Sequence, residues 1–143
     1  MRGACRLAVL LAAMTTPAWA DRARPPPRVP APAAVCPLRA GWTFRGTYLC
    51  AQGPTAVTLR VLQVRGTAVR VEFAFSHAPS AAAGRFTLDG SCVGSAVDLA
   101  PTAWIDRMPG YIMVGMRGTL SDAAARFVGA MTHPSCGGFD VRR

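Results

Sequence analysis

The chain has 143 residues, sixteen arginines and no lysine, seven acidic residues and a net charge of +9. This length allows one domain around one core. The basic residues stand singly rather than in runs, as on a solvated face, and this argues against a nucleic-acid partner.

Arg2 and Arg6 precede a short apolar run over 7–14, and Ala18-Trp19-Ala20 follows as a small-x-small site. Residues 1–20 therefore read as a secretory signal cleaved before Asp21. The run is too short to span a bilayer, so no membrane span is expected. Cys5 precedes the run, where a lipoprotein cysteine does not stand. The expected product is exported, to the periplasm or the medium, and keeps fourteen of the sixteen arginines and all seven acids. Residues 21–35 are rich in Pro, Ala and Arg and form an extended or disordered lead-in. A single β domain is expected over 36–143.

From Trp42 the chain alternates with period two, the pattern of half-buried strands. Trp42, Phe44, Gly46, Tyr48 and Cys50 share a face. Val57, Leu59 and Val61 follow, then Val69, Val71, Phe73 and Phe75. The Arg65-Gly66-Thr67 turn separates those two runs. Phe86, Leu88, Gly90 and Cys92 make a fourth strand, and 93–99 a short fifth. Residues 111–120 make a sixth, whose inward face stays ambiguous because both faces are apolar or glycine. Residues 121–126 hold either one helical turn or a tight connection. Phe127, Gly129 and Met131 mark a seventh strand, and Phe139 and Val141 an eighth. The strand glycines at 46, 90 and 129 indicate bends and close backbone approach, as a small barrel requires. The fold class is all-β, an antiparallel meander of about eight strands forming a barrel or a curved sandwich.

Four cysteines follow the expected cleavage site, an even number that in an oxidising compartment implies two disulfides. In a closed meander Cys50 and Cys136 fall at one end, called upper here, and Cys36 and Cys92 at the other. Cys50–Cys136 with Cys36–Cys92 is the pairing that joins like ends.

The same topology collects polar and aromatic residues at the upper end. Gln52 lies in the first turn, Ser76 and His77 open the third-to-fourth connection, and His133 and Ser135 lie in the last one. Trp104, Asp106, Arg107 and Tyr111 lie in or beside a long fifth-to-sixth connection. A Trp and a Tyr near an Arg can stack on a sugar or on a partner's side chain. The plainer alternative is that Trp104 plugs the barrel end while Pro109-Gly110 turns the chain. Two histidines with Asp106 lack metal-ligand spacing, and no cofactor motif is present. A Ser-His-Asp triad would need Ser76 or Ser135 with Asp106, without a nucleophile elbow in the sequence. No catalytic residue is assigned.

The run Trp42-x-x-x-Gly46-x-Tyr48-x-Cys50-x-Gln52-Gly53, the segment Pro109-Gly110-Tyr111 and Cys136-Gly137-x-Phe139 together resemble a small exported bacterial envelope domain of uncharacterised role. Cys92 departs from that pattern, which has an aromatic there. In size, export and disulfides the chain is also similar in architecture to periplasmic lysozyme inhibitors and lipocalin-like barrels. The motif resemblance imports no established activity, and the second likeness is architectural. From the residues at the upper end, the expectation is a non-enzymatic, monomeric module that binds an envelope protein or glycan through those loops, with a lysozyme-inhibitor-like role as one concrete version. A small-ligand carrier is the alternative and a hydrolase a distant third.

Overall fold

A computed structural model describes residues 34–143. The expected signal, its cleavage point and lead-in residues 21–33 lie outside the described residues. Eight strands pair in sequence order and the last returns to the first, closing an antiparallel barrel. They are β1 (Thr43–Cys50), β2 (Gly53–Arg65), β3 (Ala68–His77), β4 (Ala82–Val93), β5 (Ala96–Asp106), β6 (Met116–Ser121), β7 (Arg126–Met131) and β8 (Gly138–Arg142). The seam is a β1–β8 ladder from Arg45 opposite Arg142 to Tyr48 opposite Phe139.

Alternation closes this sheet because each strand puts its large apolar residues on one face. Phe44, Leu59, Val71, Phe73, Phe86, Leu88, Leu99, Met116, Phe127 and Val141 are all buried. Phe73 stacks on Phe86 at 4.6 Å, Tyr48 meets Phe73 edge-on at 5.4 Å, and Phe127 meets Phe139 edge-on at 4.7 Å. Burying each such ring contributes roughly 2–3 kcal/mol before entropic costs. The space left among Leu38, Phe44, Leu59, Val71, Leu99 and Phe127 in the lower core is about 10 Å³. Trp42 sits half-buried at the lower end with the Arg143 guanidinium 3.8 Å from its ring centre.

Both expected disulfides are present, Cys36–Cys92 and Cys50–Cys136. They clamp opposite ends. Cys36–Cys92 ties the segment before β1 to the end of β4, and Cys50–Cys136 joins the end of β1 to the connection before β8.

The fifth and sixth strands differ in extent from the sequence expectation, and Val93 belongs to β4. β5 runs on to Asp106 rather than stopping at Leu99. Its register against β4 shifts twice, which leaves Thr102 and Ile105 without direct partners. Each extra residue resets the alternation, so Leu99, Pro101 and Trp104 share the inward face although their spacing is irregular. The Thr87 and Thr102 hydroxyls, 2.7 Å apart, hold the first shift, and Thr102 donates to the Thr87 carbonyl at 3.1 Å. β6 is shorter than expected and begins at Met116; residues 111–115 carry no strand pairing. Its inward face is now defined, with Met116 and Leu120 buried. The 122–125 connection is a tight turn rather than a helix, with Asp122, Ala123 and Ala124 all at positive φ.

Candidate functional site

The upper end carries the longer connections, and the residues singled out there separate into three environments. The first is a groove of about 350 Å³ between the β1–β2 turn, the 107–115 connection and the β7–β8 connection. Tyr48, Gln52, Tyr111, Ile112, Val114 and Ser135 line it, and the Cys50–Cys136 disulfide forms part of its wall. Alternation in β1 turns Tyr48 inward, so its ring is core while its hydroxyl reaches the groove floor. The Gln52 amide donates to the Tyr48 hydroxyl at 3.4 Å and to Thr55 Oγ1 at 3.0 Å, and Thr55 donates to the Gly53 carbonyl at 3.1 Å. Gln52 is thereby held over the floor. Tyr111 stacks on Phe75 at 5.3 Å, which pins the long connection to the core and leaves its hydroxyl 3.5 Å from Ser80 Oγ.

The second environment is the barrel plug. Trp104 is half-buried and packs edge-on against Phe86 at 5.3 Å and Phe75 at 6.5 Å. It closes the upper core from β5, as in the plainer of the two sequence readings, and is not among the groove-lining residues. His77 is likewise buried at the end of β3, with Nδ1 2.7 Å from Ser80 Oγ.

The third environment is the outer wall. Asp106 belongs to β5 and faces Arg85, whose Nε donates to its carboxylate at 2.6 Å. The extended strand carries it out of the connection in which the sequence reading placed it. Arg107 follows at the exposed start of that connection, with no ion-pair partner among the described residues.

His133 does not line the groove but is hydrogen-bonded to Ser135, which does. Its Nδ1 accepts from the Ser135 backbone N–H at 3.2 Å and lies 2.7 Å from the Ser135 hydroxyl. An accepting Nδ1 puts the proton of the neutral ring on Nε2. Ser and His are thus adjacent, but Asp106 is spent on Arg85, and neither histidine hydrogen-bonds a carboxylate among the described residues. Among those residues no three His, Cys, Asp or Glu side chains converge as a metal ion would require. A second depression of about 450 Å³ near the tops of β2, β3 and β4 is lined by alanine and proline together with Ser76 and His77. It offers fewer orienting groups than the Tyr48–Gln52–Tyr111 groove.

No protein family, curated protein or solved structure matches this chain. The functional reading therefore rests on this geometry. Of the groove-lining residues, the sequence reading placed Gln52, Tyr111 and Ser135 at this end and did not single out Tyr48 or Ile112. Tyr48 read as core because its ring is core. Ile112 read as part of a strand, yet it stands 59 % exposed at the groove edge.

Burial pushes the Tyr48 phenol up to about 12, and hydrogen bonding with Thr55 and Gln52 offsets only part of that rise. The folded state therefore holds this proton more tightly than the unfolded chain, whose tyrosine titrates near 10. Its contribution is complete below pH 10 and is lost as pH climbs toward 12, a change of about 2–3 kcal/mol. Urea unfolding across that window should show the decline, and Tyr48→Phe should flatten it. An equal decline in the variant would refute this origin.

Proposed function

We propose that this protein is an exported envelope module that binds a protein or glycan partner through the upper groove, with a lysozyme-inhibitor-like role as its most concrete form. The observation that carries the reading is the convergence of Tyr48, Gln52, Tyr111 and Ile112 on one groove with a disulfide in its wall. Rigid aromatic surface with a few fixed polar groups is the composition of a recognition site. Arg107, exposed near the same connection, supplies a guanidinium for an anionic group on the partner. The two disulfides accord with an oxidising compartment, and among the described residues no helix is long and apolar enough to cross a membrane.

The core geometry favours this over carriage inside the barrel. A carrier needs a hollow interior, whereas the lower core leaves about 10 Å³, room for about one water.

The test is a lysis assay with purified protein released by an exporting host, alongside retention on insoluble peptidoglycan. Slowed lysis or retention that falls at least about tenfold in Tyr111→Ala, a loss typical of a contact hot spot, supports the reading. No effect on several lysozymes together with no retention removes it.

A further inference from the structure

The arginines are sorted, and composition cannot account for the sorting. A genome rich in GC raises the number of arginines but does not choose their positions. Arg70, Arg85 and Arg117 each stand directly opposite an acid across a strand pair, namely Asp89, Asp106 and Asp98, and Arg126, whose direct register partner is Arg142, reaches the diagonal Asp140. Of the other arginines among the described residues, only Arg107 lies at the upper end. Arg39, Arg45, Arg60, Arg65, Arg142 and Arg143 all lie at the lower end or on the lower β2–β1–β8 wall, and all are exposed.

The register intensifies this concentration. Arg45 is directly opposite Arg142, with Arg60 two positions from Arg45's partner on the other side. Like charges placed opposite each other are destabilising, so the arrangement costs stability in the free protein. Glu72 faces Arg60 across β2–β3 but makes its ion pair with Arg85 at 3.6 Å. Asp140, close to Arg142, is held by two hydrogen bonds from Arg126. Asp122 in the 122–125 turn is the remaining acid here; its charge acts on Arg126, and it makes no ion pair among the described residues. Arg143 is braced against Trp42 at 3.8 Å, with Arg39 at 5.9 Å from the same ring. Stacking occupies the guanidinium face and leaves its N–H edges for an anion.

Apolar side chains are exposed at this same end. Val35 is 84 %, Val93 46 % and Leu62 37 % exposed. Ala34 is tied to the β4–β5 turn by a hydrogen bond from Gly94, which keeps Val35 near Val93. A soluble polyanion rewards the arginines alone, whereas a bilayer interface rewards both the cations and the apolar residues beside them.

We propose that the lower end is a docking surface for an anionic phospholipid bilayer, with the guanidinium edges on headgroup phosphates and Val35, Val93 and Leu62 against the acyl boundary. This surface is opposite the upper groove and independent of it. Membrane docking would leave the groove facing away from the lipid.

Co-sedimentation with phosphatidylcholine vesicles, with and without phosphatidylglycerol, tests this on the protein as an exporting host releases it. Binding should require phosphatidylglycerol and weaken with salt. Each arginine neutralised at an anionic surface should cost about fivefold in binding, so Arg45→Gln/Arg142→Gln should lose roughly 25-fold. Both residues are exposed, and an unchanged thermal transition will show that the variant is folded. Arg107→Gln should leave binding unaltered, and Val93→Ser should weaken it at constant charge. The proposal is overturned by no preference for phosphatidylglycerol, or by equal binding of the Arg45/Arg142 variant. It is also overturned if soluble polyphosphate displaces the vesicles while Val93→Ser has no effect, because the ligand is then a phosphate polymer.

Discussion

Cys50→Ser/Cys136→Ser is expected to lose about 4–5 kcal/mol of stability, the loop-closure value for cysteines this far apart in sequence. The separation is 86 residues, so the bridge removes a large share of the freedom of the unfolded chain. At the scale of this domain that corresponds to a fall of about 15–25 °C in Tm. The native position adds a second reason. The bridge sits above the β1–β8 seam, beside the hydrogen bond from Gly137 N–H to the Leu49 carbonyl at 2.8 Å. Without it the last strand is anchored only by its ladders to β1 and β7. The groove wall should loosen at the same time, so the binding proposed for the groove should weaken in the variant even at temperatures where it stays folded. Guanidinium unfolding of the two proteins, both unreduced, measures the difference. A loss below about 1 kcal/mol would mean that the seam closes without its clasp.

The second large effect is expected at Gly90. This position lies on the inward face of β4 opposite Leu99. A β-carbon there would overlap the Asp98 carbonyl and crowd the Leu99 Cα. Both are main-chain atoms, so no side chain can rotate away, and accommodation requires the two strands to part. Gly90→Ala should therefore cost about 3 kcal/mol, the upper range for overpacking a well-filled core. Gly46 repeats the situation at the seam, where a β-carbon would overlap the Asp140 carbonyl. The added methyl would ordinarily help a strand by replacing glycine, so the sign of the measured change is informative. Thermal unfolding of Gly90→Ala decides it, and a neutral or stabilising result would show that the strands can move apart at little cost.

Ladder and core were legible because one rule governs both. Wherever Val71, Phe73 and Phe75 alternate with Arg70, Glu72 and Ala74, a sheet with one apolar face is the arrangement that buries the first set and solvates the second. Eight such strands in meander order left a barrel and a curved sandwich both open; the disulfide pairing was argued on the closed arrangement, and the structure has that arrangement. The reading failed where the rule was interrupted. At 99–106 two residues are added without a partner, and Pro101 imitates a strand end, so Trp104 and Asp106 read as connection residues. Their fates diverge because the shifted register turns one inward onto Phe86 and the other outward onto Arg85.

The groove was legible only as an address. Meander order predicts that Gln52, Tyr111 and Ser135 share one end, because all three lie in connections on the same side of the sheet. It does not predict that Tyr48 lends its hydroxyl to the floor or that Ile112 stands exposed at the edge. Those outcomes depend on how the unpaired 111–115 segment settles over Phe75, which is a matter of side-chain packing and carries no period.

Charge shows the same division. The sequence by itself determined that arginine outnumbers acid and that each strand's outward face would carry it. Only the tertiary structure decided which arginines meet an acid. Register places Asp89 opposite Arg70 and Asp140 diagonal to Arg126, and the same register places Arg142 opposite both Arg45 and Arg126. Local alternation sets the face on which a side chain lies, whereas its partner is chosen by another strand, which for Arg45 is the one carrying Arg142 at the far end of the chain.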